Sequence, residues 1–266
     1  MIDATLGLRM KDQVIRNIVQ FGERYVTEYL KPVSKKSLEG DWYGGANLLL
    51  SYSFYQARRD EVSSKVEKAA MGVLDNHFSG RDFSALRGCD FDSLKCDLLA
   101  VIGKGKVGKT RDAEMVVGIL RFVSHLPGEN LTHYSVAAIE QGDVKKLYKD
   151  LIGIRGIGPK IASLYLRDLV DIYDLENKSA PEDLALLQPV DVWVRRVACK
   201  TGIVANEQMS DLDIQKSIVR VCGELGVCAL RFNQGAWYLG KNAFEILIEN
   251  LESIQLPRPD ASSTPA

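Results

Sequence analysis

Apolar residues recur every three or four positions along most of the chain. Val14, Ile15, Ile18, Val19, Tyr25, Val26 and Tyr29 form the first stripe, and Pro32 stops it because proline has no N–H to continue a helix. Residues 34–45 are polar, carry glycines and read as a connector. A second run covers 48–54, and Val62, Val66, Ala69, Ala70, Val73 and Leu74 make a third stripe. A short apolar segment lies at 96–102, and helical spacing returns at 115–123, 144–152, 161–173, 192–200, 212–225 and 235–251. No stretch alternates with period two between hairpin turns, which disfavours sheet-based folds. The pattern predicts an all-α protein. Residues 255–266 are rich in Pro, Ser, Thr and Ala, have nothing to bury and are expected to be disordered.

Composition adds limits. The 266 residues are 46% hydrophobic and 26% charged, enough for one large domain or two small ones with real cores. Lys plus Arg number 34 against 35 Asp plus Glu, a net charge of −1. That balance excludes a protein that coats nucleic acid by bulk positive charge. It leaves room for a local basic face, because bases concentrate at 104–111, 155–160 and 195–200 and acids at 168–183. No apolar run approaches the roughly 20 residues of a membrane helix. The start, Met1-Ile2-Asp3-Ala4, lacks the basic-then-apolar order of a signal peptide. No membrane partner is expected, and the location expected is the cytoplasm. Cys89, Cys96, Cys199, Cys222 and Cys228 include no C-x-x-C pair and read as reduced thiols. His77, His125 and His133 lack metal-ligand spacing, so no metal site is expected.

Residues 103–110, GKGKVGKT, match the phosphate-loop pattern, with Lys109 in the lysine position. Such a loop sits on a parallel sheet, which this helical pattern does not supply. Two other readings stand beside a nucleotide-hydrolysing site. One is a glycine-rich turn with a solvated basic edge. The other is a turn whose Lys104, Lys106, Lys109 and Arg111 contact nucleic-acid phosphates.

Residues 151–166, LIGIRGIGPKIASLYL, read as helix, tight turn, helix. Gly156 and Gly158 bracket Ile157, which can plug the joint, and Pro159 suits a first helical position. Glycines let a backbone come near a phosphate, and the free N–H groups at a helix start favour an anion. This is a helix-hairpin-helix pattern that grips the DNA backbone without reading sequence; an ordinary helical hairpin is the plain alternative. Further on, Asp191 follows Pro189-Val190 and opens an amphipathic helix, where a capping role alone would explain it.

Together these segments resemble the helix-hairpin-helix Gly/Pro-Asp superfamily of DNA glycosylases, which holds endonuclease III and the 8-oxoguanine glycosylases. Gly156-Ile157-Gly158 resembles the family's hairpin and Pro189-Val190-Asp191 its Pro-Val-Asp segment. Lys160 falls where bifunctional members place their nucleophilic lysine; a phosphate-binding lysine is the alternative. Residues 48–65, with Ser53-Phe54-Tyr55-Gln56, resemble the early helix pair whose turn wedges into DNA, and the turn at 103–111 resembles one in the central helical domain. The resemblance spans roughly 48–202 and extends more weakly to 240. Only Cys222 and Cys228 lie where cluster-bearing members have four cysteines, so no iron–sulfur cluster is expected. Lys160 and Asp191 stand 31 residues apart, longer than in most members and similar to the archaeal-type 8-oxoguanine enzymes.

The resemblance implies two helical subdomains with the active-site cleft between them. Residues 46–163 would form a helical barrel ending in the hairpin, and 1–45 with 164–254 the second subdomain. It implies a monomer that acts on double-stranded DNA with a damaged base, in the nucleoid if the source is prokaryotic. The activity implied is base excision with abasic-site lyase chemistry, most naturally on 8-oxoguanine, with oxidised pyrimidines or mismatches as alternatives. Lys160 would be the nucleophile and Asp191 the carboxylate that stabilises charge at the sugar. Gly156, Ile157, Gly158, Lys109 and Arg111 would hold the DNA backbone, and the hairpin carbonyls could take a monovalent cation. Gln56 and Arg58 would wedge the duplex, unless they simply form a solvated turn. Asn233 and Trp237 would read and stack the extruded base, unless Trp237 is core.

Overall fold

A computed structural model describes residues 2–56, 59–102 and 109–248, with side chains described over 12–56, 59–102 and 110–242. The expected disordered tail at 255–266 lies outside them. Every regular element among the described residues is helical, as the periodicity predicts. In chain order these are α1 (Ile2–Tyr25), which runs into a π-helical turn (Val26–Leu30), α2 (Lys35–Gly40), α3 (Trp42–Phe54), α4 (Asp60–His77), α5 (Phe83–Arg87) and α6 (Phe91–Ile102). There follow α7 (Lys109–Ser124), α8 (Leu131–Glu140), α9 (Val144–Ile152), α10 (Pro159–Ile172), α11 (Val192–Lys200), α12 (Asp211–Glu224) and α13 (Ala229–Ile248). No described helix is long and apolar enough to cross a membrane.

The chain divides into two compact units, one from Tyr29–Pro189 and the other from Met1–Glu28 with Val190–Ala266. These limits differ from the cuts expected at 45/46 and 163/164. Helix α10 runs unbroken through 163 and buries Ile161, Ala162, Tyr165, Leu166, Leu169 and Val170. The presumed connector at 34–45 is also largely helix, because Ser34 caps α2 and Asp41 caps α3 through bonds to the N–H groups of Ser37 and Gly44.

Helix α3 is the centre of the 29–189 unit and touches α2, α4, α7, α8 and α10. Its sequence is apolar almost all round, as a helix packed on several sides must be. Its Gly44 and Gly45 mark close approaches: a Cβ at Gly44 would sit 1.9 Å from Ser37 O, and one at Gly45 2.4 Å from Asn130 Oδ1. Asn130 joins three elements. It donates to Leu38 O (2.9 Å) and Asp41 O (2.7 Å) and accepts from His133 N (3.0 Å) as the cap of α8.

Helix α10 is fixed to α3 by a buried ionic cluster. Arg167 Nε donates to Asp168 Oδ1 at 2.8 Å, and Tyr52 on α3 donates to Asp168 Oδ2 at 2.8 Å. Both charged side chains are fully enclosed. A buried carboxylate is tolerable only when paired and hydrogen-bonded in this way, and deleting one partner would leave the other uncompensated.

In the other unit α1 lies along α13, and α11 and α12 pack on α13 as well. A Cβ at Gly235 would stand 1.9 Å from Ile18 O, and one at Gly22 would stand 2.3 Å from Arg231 O. Ile15, Ile18, Phe21, Val194, Val197, Ile214, Ile218 and Phe232 form its core. Cys222 is buried there, and burial with the neighbouring Cys228 pushes its thiol up to about 12.

Candidate functional site

The segment 153–158 joins α9 to α10. Its first turn is closed by the N–H groups of Ile154 and Ile157, which donate to Leu151 O (3.1 Å) and Ile154 O (3.0 Å). Ile154 and Ile157 are buried and anchor the turn from beneath. Ile154 lies against Gly118 of α7, where an added Cβ would be 3.1 Å away. Gly156 has φ +90 and faces Met115, whose Cβ would lie 2.8 Å from a Cβ placed there. Both the backbone and the space therefore require glycine. Gly158, the residue before the first turn of α10, has φ −97 and open space around its Cβ position. Pro159 follows it at N1, as predicted.

Gln56, expected as a wedge, is tied to this turn. Its Nε2 donates to Ser53 O (2.8 Å) and to Gly156 O (3.2 Å), and lies 3.7 Å from Met115 Sδ. Its Oε1 accepts from Arg111 at 2.9 Å. Insertion of Gln56 into a duplex would require all of these contacts to be given up. Arg111 is exposed and brings one basic charge to the turn. Lys109 opens α7, but its side chain lies outside the described residues, as does Arg58.

A second bridge runs beside the first. Glu114 accepts from Lys95 at 3.0 Å and from Arg155, which belongs to the turn. Those two bonds, Lys95 first, hold the Glu114 carboxyl below its ordinary range. Neither Glu114 nor Met115 stood out in the sequence. Their helical spacing from Arg111, at three and four positions, is the signal that puts all three on one face of α7.

Lys160 is the second residue of α10, half-buried, with no ion pair among the described residues. Asp191 belongs to the other unit. Its Oδ1 caps α11 by accepting from Trp193 N and Val194 N, both at 2.9 Å. Its Oδ2 has no hydrogen bond among the described residues. Capping therefore occupies one oxygen of the carboxylate and leaves the other.

Asn233 and Trp237 lie one turn apart on α13. Asn233 is completely enclosed, so its amide packs within the unit and offers no accessible edge. Trp237 is half-buried, with Tyr25 edge-on at 5.6 Å and Lys241 over its ring at 4.9 Å. The phosphate-loop reading of 103–110 loses its context, because the element before it is α6 rather than a strand. Residues 103–108 themselves lie outside the described residues. No group of three or more potential metal ligands occurs among the described residues.

No family model matches the chain, and no solved structure matches it. A stretch of 81 residues is 36% identical to an uncharacterized protein, MJECL21, of Methanocaldococcus jannaschii. The match covers 30% of this chain and 18% of that protein, so the chain spans less than a fifth of the relative's length.

Proposed function

We propose that this protein is a DNA glycosylase with abasic-site lyase activity, acting on oxidised bases in duplex DNA and foremost on 8-oxoguanine. The observation that carries the reading is the turn before α10. A glycine-only bend at Gly156 precedes a helix start where Gly158 and Lys160 donate no backbone hydrogen bond among the described residues. Such N–H groups suit a phosphate, and Arg111 adds charge beside them. In this reading the segment is a helix-hairpin-helix grip, and Lys160 is the lysine beside it that does the chemistry.

The target base is inside the stack, so it must be extruded at a cost of a few kcal/mol. Lys160, as the neutral amine, attacks the sugar C1′. The N–C1′ bond to the base breaks, and the base leaves with its electron pair and takes a proton. Loss of the amine proton and opening of the sugar ring give a Schiff base, with O4′ as a hydroxyl. Removal of a C2′ proton then expels the 3′ phosphate, and water returns the free lysine. The positive charge that builds at the sugar calls for a carboxylate, the role assigned to Asp191. The setting that goes with this reading is a monomer in the cytoplasm, at the nucleoid in a prokaryote.

Borohydride added during turnover should trap a covalent protein–DNA adduct with wild type and none with Lys160→Gln. Failure of wild type to trap on any lesion or abasic duplex, or trapping by Lys160→Gln, would remove Lys160 from the chemistry. A lesion panel decides the substrate, and a preference for thymine glycol over 8-oxoguanine would move it to oxidised pyrimidines. The cap bonds of Asp191 favour a second reading, a DNA grip without catalysis. Asp191→Asn separates the two, since asparagine caps a helix as well as aspartate. Turnover is lost at an intact melting temperature under the first reading, and nothing changes under the second.

A further inference from the structure

We infer that the outer face of α9 carries the DNA backbone onward from the turn, with Lys146 and Lys149 each meeting a phosphate of one strand. The inference rests on the proposed DNA-binding reading and extends the contact to residues that this reading does not use. Helix α9 buries Val144, Leu147 and Leu151 on one side. Lys145, Lys146 and Lys149 stand on the other, and all three are exposed. Lys145 and Lys149 are four positions apart and Lys146 and Lys149 three, spacings at which like charges weaken a helix. The fold relieves one of the three, because Lys145 pairs with the buried carboxylate of Asp183 at 3.4 Å. Lys146 and Lys149 have no ion pair among the described residues. Asp150, the acid four positions after Lys146, accepts from Tyr134 at 2.9 Å instead. Lys149 in the last turn suits the negative end of the helix dipole, which accounts for one charge but not for the cluster. The face leads straight into the turn: Gly153, four positions after Lys149, is exposed and puts no side chain between Lys149 and residues 154–158. From Lys146 to Gly153 the helix rises roughly 10 Å, the axial rise of about three nucleotides of one strand. A line of uncompensated cations of this length complements the repeated charge of a phosphate backbone.

The test measures the affinity of the full chain for an undamaged duplex by fluorescence anisotropy over a series of salt concentrations. Each lysine–phosphate contact contributes about 0.9 to the slope of log affinity against log salt. Lys146→Gln combined with Lys149→Gln should reduce that slope by about 2, and weaken binding equally for every duplex sequence. Either substitution alone should reduce it by about 1, which keeps the test in hand if the pair fails to fold. The melting temperature should not fall, because the repulsion leaves with the charges. Lys36→Gln combined with Lys178→Gln is the control: it removes the same charge from exposed positions on α2 and on the turn at 176–178, and should leave the slope as in wild type. Poly-glutamate is the second probe, standing for an acidic polypeptide on the same face, and should not compete with the duplex. The inference is overturned if the α9 pair leaves the slope unchanged, if the control pair lowers it equally, or if poly-glutamate binds wild type and loses affinity in the α9 pair while the duplex does not. If wild type binds no duplex at any salt concentration, the DNA reading falls and the inference with it. An unchanged slope in a protein that does bind removes α9 alone.

Discussion

Two pairs of glycines in the same unit do opposite jobs. Gly44 and Gly45 lie inside α3 in ordinary helical backbone, and they are glycines because Ser37 O and the Asn130 amide stand where a side chain would be. Gly156 and Gly158 frame the turn before α10. The first is forced by its φ of +90, and the second by nothing in the protein itself. The sequence pattern places the first pair in a connector and the second in a tight turn; the turn holds at 156 and 158, while 44 and 45 lie inside a helix. What separates them is the cause: Gly44 and Gly45 are set by neighbours pressed against an ordinary helix, whereas Gly156 is set by its own backbone as well as by Met115.

Substitutions should rank the four roles. Gly44→Ala carries the largest expected effect, since the clash is with backbone that cannot rotate away. It should cost about 3 kcal/mol in denaturant unfolding, and a loss under half that would mean that α2 simply shifts. Gly156→Ala should cost about 2 kcal/mol, from the left-handed backbone and the nearby Met115. It should also weaken duplex binding. Gly72→Ala reverses the sign: this glycine is exposed in the middle of α4 with nothing near its Cβ position. Alanine there should stabilise by about 0.5–1 kcal/mol, read as a higher denaturation midpoint. Gly158→Ser should have the smallest effect on stability, within about 0.5 kcal/mol, because serine is a good residue before a first helical turn. Its side chain would stand where a phosphate would approach, so duplex affinity should drop. Undiminished affinity would show that Gly158 is not needed for the grip.

Helices that bury a continuous stripe were legible whatever their length. Residues 144–152 and 192–200, read from apolar spacing alone, match α9 and α11 residue for residue. Helix α8 escaped although it is one residue longer than α9 or α11, because it is organised by Asn130, whose bonds reach back about ninety residues to Leu38 and Asp41. The turn at 153–158 was legible down to Pro159 at N1, since its signals are local. Its lateral supports were not, because Gln56, just past the end of α3, and Arg111 and Glu114 of α7 reach it through tertiary contacts. Asn233 shows the converse. A polar residue one turn from a tryptophan suggests a binding face, yet tertiary packing closes over it entirely.

The pairing of α1 with α13 has a consequence for the order of events at the ribosome. Glu23 meets Arg231 and Arg16 meets Leu225, contacts that span 208 and 209 residues of chain. Helix α1 is made before the other described helices but cannot bury its apolar stripe against α13 until α13 has been made. The 29–189 segment is continuous and carries its own core, so it can fold while α1 waits. Closing so long a loop carries an entropic cost that grows only slowly with length. The unit built from two distant segments should therefore fold after the 29–189 unit.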